Sequence, residues 1–275
     1  AEYIVGRGGS YPNEYITLLD NDGDTLWTYS TGQAPVFDIS ADGNYIILGS
    51  YSKKVSLFSK DSNTPIWTKD LDRQIRSVSI SWDGEIIAVG TDSPFSSDDK
   101  KIYLFSKDSN TPLWSYETGA STKVRLSGNG EYVAASSGSS IWLFKTNSNS
   151  PLWTYSGTNS IGDISYDGEY LSANINSGSS SKFIFFDKDS STPLWQYSPG
   201  SQHRASGSGL SADGKYITFG TTEKLYLFQN TEVPWPSVIP YYPFSNQIVA
   251  NPPILEWIVC SNDTAVTSEI YLGTS

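Results

Sequence analysis

Leu104-Phe105-Ser106-Lys107-Asp108-Ser109-Asn110-Thr111-Pro112-Leu113-Trp114 is the stretch that decides the fold, because it returns along the chain almost unchanged. Upstream it recurs as Leu57-Phe58-Ser59-Lys60-Asp61-Ser62-Asn63-Thr64-Pro65-Ile66-Trp67. Downstream it runs from Leu143-Phe144 to Trp153 and from Phe185-Phe186 to Trp195, and a degenerate first copy runs from Leu18-Leu19-Asp20 to Trp27. The tryptophans at 27, 67, 114, 153 and 195 are 40, 47, 39 and 42 residues apart. A period of that length points to an array of small sheets.

A second marker keeps the same spacing. Asp42-Gly43, Asp83-Gly84, Asn129-Gly130, Asp167-Gly168 and Asp213-Gly214 each sit between two apolar runs. Such a pair predicts a two-residue hairpin of type I′, since Asp or Asn and Gly tolerate positive φ. One repeat then resolves into four strands, a to d. In the third copy these are 76–80, 85–90, 101–105 and 113–116, each rich in Val, Ile, Tyr, Phe and Trp and bounded by turn-forming residues. Repeats two to five are complete. The first supplies only b, c and d, since Glu2 to Gly6 matches strand b, so the expectation is that its strand a is processed away, supplied elsewhere or missing. The sixth supplies a, b and c before its fourth strand dissolves into Thr231-Glu232-Val233-Pro234-Trp235-Pro236.

The 275 residues are enough to bury a large core, and 14% aromatic content furnishes it. No apolar run has the length a membrane-spanning helix needs, so no membrane insertion is expected. A net charge of −11 argues against nucleic acid as a partner, because phosphate recognition needs clustered Lys and Arg. Cys260 is the only cysteine and His203 the only histidine. This excludes an intramolecular disulfide, a Cys-based metal site within one chain and any triad with more than one histidine.

Six units of about 40 residues and four strands imply an all-β fold, a β-propeller of six or seven blades over residues 1–229. The run Ser-x-Asp-Gly-x-Tyr-Ile, then Leu-Phe-Ser-Lys-Asp-Ser, then Thr-Pro-Leu-Trp resembles the WD40-like, YVTN and PQQ-like propeller repeats of archaeal and bacterial secreted and surface-layer proteins. The strand d tryptophan resembles that of PQQ-type blades, whereas the Gly-His and Trp-Asp dipeptides of eukaryotic WD40 repeats are missing. Residues 230–253 carry six prolines and read as an extended linker. Residues 254–275, with Asn251-Pro252-Pro253 ahead of Trp257 and then Tyr271-Leu272-Gly273-Thr274-Ser275, resemble the first strands of an immunoglobulin or fibronectin type III module, or extend the last blade.

Alternation assigns Ile39, Ile80, Leu126, Ile164, Leu210 and the strand d tryptophans to the cores between blades. The a-to-b turns and c-to-d loops are near copies, while the b-to-c and d-to-a loops vary, so a localised function is expected on the variable face. That face carries 69–73, 91–100, 176–181 and 201–204, with His203 and Arg204 as ligand candidates. Strand a places Asp38, Ser79, Arg125, Asp163 and Gly209 at equivalent positions. Asp38, Arg125 and Asp163 would build a small polar or metal site there, or satisfy the inner strands by pairing charge. No cofactor is expected, with calcium the possible exception, for which Asp92, Asp98 and Asp99 are candidate ligands. Asp20-Asn21-Asp22-Gly23-Asp24 also looks like a calcium loop but reads better as a hairpin turn. Asn262-Asp263-Thr264 is a glycosylation sequon if the protein is exported.

The function these features favour is a non-enzymatic extracellular or cell-surface structural and interaction module, a subunit of a surface layer or filament. Its partners would be other protein subunits, further copies of itself and surface glycans. The rival is a ligand-binding or carbohydrate-acting propeller using the channel mouth. A quinone-cofactor dehydrogenase is disfavoured, since such enzymes usually carry eight blades and adjacent cysteines.

Overall fold

A computed structural model of the chain describes residues 2–92, 100–138, 140–157, 159–177, 180–199, 205–221 and 224–230, together with the backbone of 255–261 and 264–270. All regular elements among these are β-strands. The first sheet holds β1 (Tyr3–Ser10), β2 (Asn13–Asp20) and β3 (Thr25–Gly32). The second holds β4 (Val36–Ile39), β5 (Tyr45–Gly49), β6 (Lys54–Ser59) and β7 (Trp67–Asp70). The third holds β8 (Gln74–Ile80), β9 (Ile86–Asp92), β10 (Lys101–Ser106) and β11 (Trp114–Glu117). The fourth holds β12 (Thr122–Leu126), β13 (Tyr132–Ser137), β14 (Ser140–Lys145) and β15 (Trp153–Ser156). The fifth holds β16 (Asn159–Ile164), β17 (Tyr170–Ser177), β18 (Ser180–Asp187) and β19 (Trp195–Tyr197), and the sixth β20 (Ala205–Leu210), β21 (Tyr216–Thr221) and β22 (Leu225–Gln229). A separate hairpin pairs β23 (Leu255–Ser261) with β24 (Thr264–Ile270).

Every sheet is an antiparallel meander in chain order, and β4, β8, β12, β16 and β20 stand next to one another as the inner strands of successive blades. Five apolar cores fill the junctions between consecutive sheets, from the first pair to the fifth and sixth. Strand alternation builds them. Leu57, Leu104, Leu143 and Phe185 point toward the following blade while Phe58, Phe105, Phe144 and Phe186 point toward the preceding one, and all eight are fully buried.

The strand d tryptophan is a packing and tethering residue. Its ring lies against the next blade's phenylalanine, 5.7 Å between centroids for Trp67 and Phe105 and 5.5 Å for Trp114 and Phe144. Its indole N–H donates to a carbonyl of the next blade's c-to-d loop: Trp27 to Lys60, Trp67 to Lys107, Trp114 to Thr146 and Trp153 to Lys188, at 2.7–2.8 Å. The burial of a large ring and the satisfaction of its one polar atom therefore come from the same neighbour.

The a-to-b turn is not the type I′ hairpin the Asp-Gly pairs suggest. Type I′ needs positive φ at both central residues. Here the glycines alone are left-handed, at 70–77°, and the Asp and Asn residues before them are not. The Gly43 N–H bonds to the Ser40 carbonyl, the pattern of a type I turn followed by a left-handed glycine. The serine of Ser-x-Asp-Gly organises it. In the second blade the Ser40 hydroxyl donates to Asp42 at 2.6 Å and accepts from the Tyr45 N–H at 3.0 Å, while Asp42 also accepts the Asn44 N–H. Ser81, Ser127, Ser165 and Ser211 repeat the arrangement. In the first blade, Asp20 accepts the N–H groups of Asp22 and Asp24, so its acidic loop is occupied as a hairpin turn.

Candidate functional site

The inner strands enclose a cavity of about 340 Å³ lined by residues of the second to sixth blades. Asp38, Ser79, Arg125 and Asp163 all face it. Asp38 and Asp163 occupy the same position in their blades and make the same bonds. One oxygen of Asp38 accepts the N–H of Ile39 in its own strand and the other accepts the N–H of Ile80 in the next blade, both at 3.0 Å. Asp163 accepts from Ile164 at 3.0 Å and from Leu210 of the next blade at 3.3 Å. Ser79 does the same work with a hydroxyl, accepting the Leu126 N–H of the blade beyond it at 3.1 Å. These side chains clasp one inner strand to the next.

Burial pushes the carboxyls of Asp38 and Asp163 above the ordinary aspartate pKa, against the opposing pull of their amide donors and of the Arg125 charge. Arg125 is exposed to the channel. Its guanidinium donates to the Val124 carbonyl at 3.0 Å and lies within 4 Å of no carboxylate among the described residues. Arg125 therefore influences Asp38 and Asp163 through the field and not by pairing. Further along the same strand, Lys123 donates to the Ser160 hydroxyl at 3.0 Å, and its ammonium pKa is lowered by partial burial and by the charges of Arg125 and Arg76.

The a-to-b turns line one end of the cavity. Backbone bonds link these turns around the ring, Ala41 N–H to Trp82 carbonyl, Trp82 to Gly128, Asn129 to Tyr166 and Tyr166 to Ala212, at 2.8–2.9 Å. Trp82 and Tyr166 come from blades on either side of Gly128 and meet over it, with centroids 4.7 Å apart. A Cβ at Gly128 would stand 2.3 Å from the Tyr166 ring and 3.0 Å from that of Trp82. The cavity is lined at these near-identical turns by Trp82, Gly128, Tyr166 and Ala212, and none of the described residues of 69–73 and 91–100 is among its lining.

Of the other candidates, Asp92 ends β9 opposite Gln74 and is not among the cavity residues. No three His, Cys, Asp or Glu side chains are grouped to hold a metal among the described residues. Asp98, Asp99, His203, Arg204 and Asn262 lie outside the described residues. Sequence reasoning missed two features. One is the Trp82 and Tyr166 pair, which occupies the variable position of Ser-x-Asp-Gly. The other is the aliphatic residue before each strand d tryptophan. Leu26, Ile66, Leu113, Leu152 and Leu194 are 41–55% exposed at one equivalent place in five blades.

Residues 12–141 match the model of a family described as outer membrane protein assembly factor BamB. Under half of the chain is covered. Among solved structures, the β-propeller domain of Cps50 (Swd1) from Myceliophteria thermophila superimposes with a TM-score of 0.62 over 83% of this chain and 79% of that one, at 10% identity. No match is found among curated proteins. This chain is a β-propeller with repeats similar to the BamB type. At that identity the solved structure speaks to fold alone.

Proposed function

We propose that this chain is a non-enzymatic protein-interaction module of an extracytoplasmic assembly, a structural subunit at the cell surface. The observation that carries the reading is a contrast between the two kinds of exposed chemistry. The channel carboxylates are each committed to two backbone amides, whereas five aliphatic side chains stand half-exposed at one repeated place, immediately before the strand d tryptophan. Apolar groups left out in register supply contact area for a partner protein and no chemistry for a substrate. The match of residues 12–141 to an outer membrane assembly factor family supports an envelope setting and a role in assembly.

The test is the mass distribution of the purified chain by light scattering, with negative-stain imaging of the same sample, repeated on the variant Ile66→Lys, Leu113→Lys, Leu152→Lys. Concentration-dependent oligomers or arrays that the triple variant weakens are expected. A monomer over a wide concentration range in both proteins would overturn the reading. A second reading, a small-ligand or carbohydrate site, is favoured by the Trp82 and Tyr166 rings beside a polar cavity. Quenching of tryptophan fluorescence by a sugar panel or calcium, lost in Trp82→Ala, would select it.

A further inference from the structure

Each of the five described junctions is made in one way. The alternate residues of strand c that point forward are covered by the second strand of the following blade. Ile16 and Leu18, Val55 and Leu57, Ile102 and Leu104, Ile141 and Leu143, and Phe183 and Phe185 are all fully buried in this manner. In the sixth sheet the equivalent residues are Leu225 and Leu227 of β22. They are 44% and 47% exposed.

The first sheet shows the complementary half of the same junction. Ile4 faces Leu19 in the register, as Ile46 faces Phe58, Ile87 faces Phe105, Val133 faces Phe144, Leu171 faces Phe186 and Ile217 faces Phe228. Those five equivalents are fully buried and Ile4 is 51% exposed. The ring of described sheets is thus open between its sixth and first blades, with a leucine face on one side and an isoleucine on the other. The first sheet has no inner strand and the sixth no outer one among the described residues.

The chain supplies a piece of matching chemistry. In the β23–β24 hairpin, Leu255 is opposite Ile270 and Val259 opposite Val266. Residues two apart fall on one face, so these four and Trp257 share a face of the hairpin. What decides its destination is the connection. Seven residues join strand c to strand d in the second to fifth blades, whereas residues 230–254 separate β22 from β23. With six prolines this spacer is over three times as long and composed for extension, reaching up to ~80 Å. Delivery to the adjacent slot of the same chain needs only a short link, and effective concentration there falls as a link lengthens.

We infer that the β23–β24 hairpin of one copy fills the open junction between the sixth and first blades of the next copy. The inference rests on the reading of the chain as a self-associating module. Donor hairpin and acceptor slot are different surfaces, so the contact is heterologous and propagates head to tail into a filament, as strand addition does in other assemblies.

Cys260, the only cysteine, alternates onto the opposite face of the hairpin, so the test is made in Cys260→Ser with a new cysteine on the apolar face. The full chain carrying Cys260→Ser, Val259→Cys and Leu227→Cys, and separately Leu225→Cys in place of Leu227→Cys, is oxidised at low concentration, and disulfide-linked peptides are mapped from non-reducing gel bands. A link between position 259 and the new cysteine of β22 in dimer and higher bands is expected, reversed by reductant and absent when Val259→Cys is omitted. The same link confined to the monomer band in both variants, or no such link in either, would overturn donation between copies. Light scattering of the unaltered chain separates the two levels. Self-association without the link leaves the interaction reading standing, and a persistent monomer without it removes both.

Discussion

Asp38 and Asp163 sit where water is scarce, and each stabilises the fold by satisfying amides that otherwise have no acceptor. Removing the carboxylate in Asp38→Ala or Asp163→Ala should destabilise the chain by about 1–3 kcal/mol, read from urea unfolding, because a buried N–H loses its partner. Their pH dependence has a defined sign. A carboxyl whose folded pKa is raised by burial contributes most below its unfolded pKa, and the contribution is lost as pH rises through the folded value. The loss caused by Asp38→Ser, which keeps one acceptor as Ser79 does, should therefore be greatest below the unfolded pKa and shrink as pH rises through the folded value. Glu14 behaves oppositely. Its hydrogen bond from Arg7, assisted by the Ala34 N–H and opposed by burial, holds its carboxyl below the ordinary value. That contribution is present above the unfolded pKa and lost as pH falls through the folded one. Glu14→Gln should flatten the acid limb of the stability curve, and an unchanged limb would contradict the pairing.

At the scale of the element, the Ser-x-Asp-Gly turn joins strand a to strand b and locks one blade to another. The fully buried Ser127 gives its hydroxyl to Asn129 and accepts the Tyr132 N–H. Ser127→Ala should destabilise by about 1–3 kcal/mol, since that amide is left unsatisfied. Gly84 has φ of 76°, and a Cβ there would stand 2.5 Å from the Tyr45 ring of the preceding blade. Gly84→Ala combines left-handed strain of about 1–2 kcal/mol with this collision and should exceed the serine change. Equal effects would mean that the Tyr45 ring yields freely. The repeat count and the turn's position were legible from Asp-Gly spacing alone. The turn's conformation was not, because the Ser hydroxyl and Tyr ring that select it act from outside the two residues a hairpin rule inspects.

For the whole molecule, equivalent positions carry unequal weight because one junction is open. Leu143 and Leu227 have the same place in their strands, yet one is fully buried and the other 47% exposed. Leu143→Ala should cost about 2–5 kcal/mol through the cavity it leaves. Leu227→Ala should stay within about 0.5 kcal/mol in dilute protein, as surface changes do. Comparison of the two unfolding midpoints at low concentration checks this directly. Its effect should grow with protein concentration if a second copy covers that face, because binding adds stability by mass action.

The sequence by itself determined the local units of this protein: strands from alternation of Val, Ile, Tyr and Phe, turns from Asp-Gly, and blades from the forty-residue return of the strand d tryptophan. Those signals are short-range, and each copy reinforces the next, so the all-β propeller could be read before any coordinate. The tertiary structure alone decided which polar side chains meet. Asp38 and Ile80 are 42 residues apart, Asp163 and Leu210 are 47 apart, and Trp82 reaches Tyr166 only because Gly128 lies between them. It also decided which leucines are covered. Leu143 and Leu227 have like neighbours in sequence, and their burial differs because a blade stands beyond one of them and none of the described blades stands beyond the other.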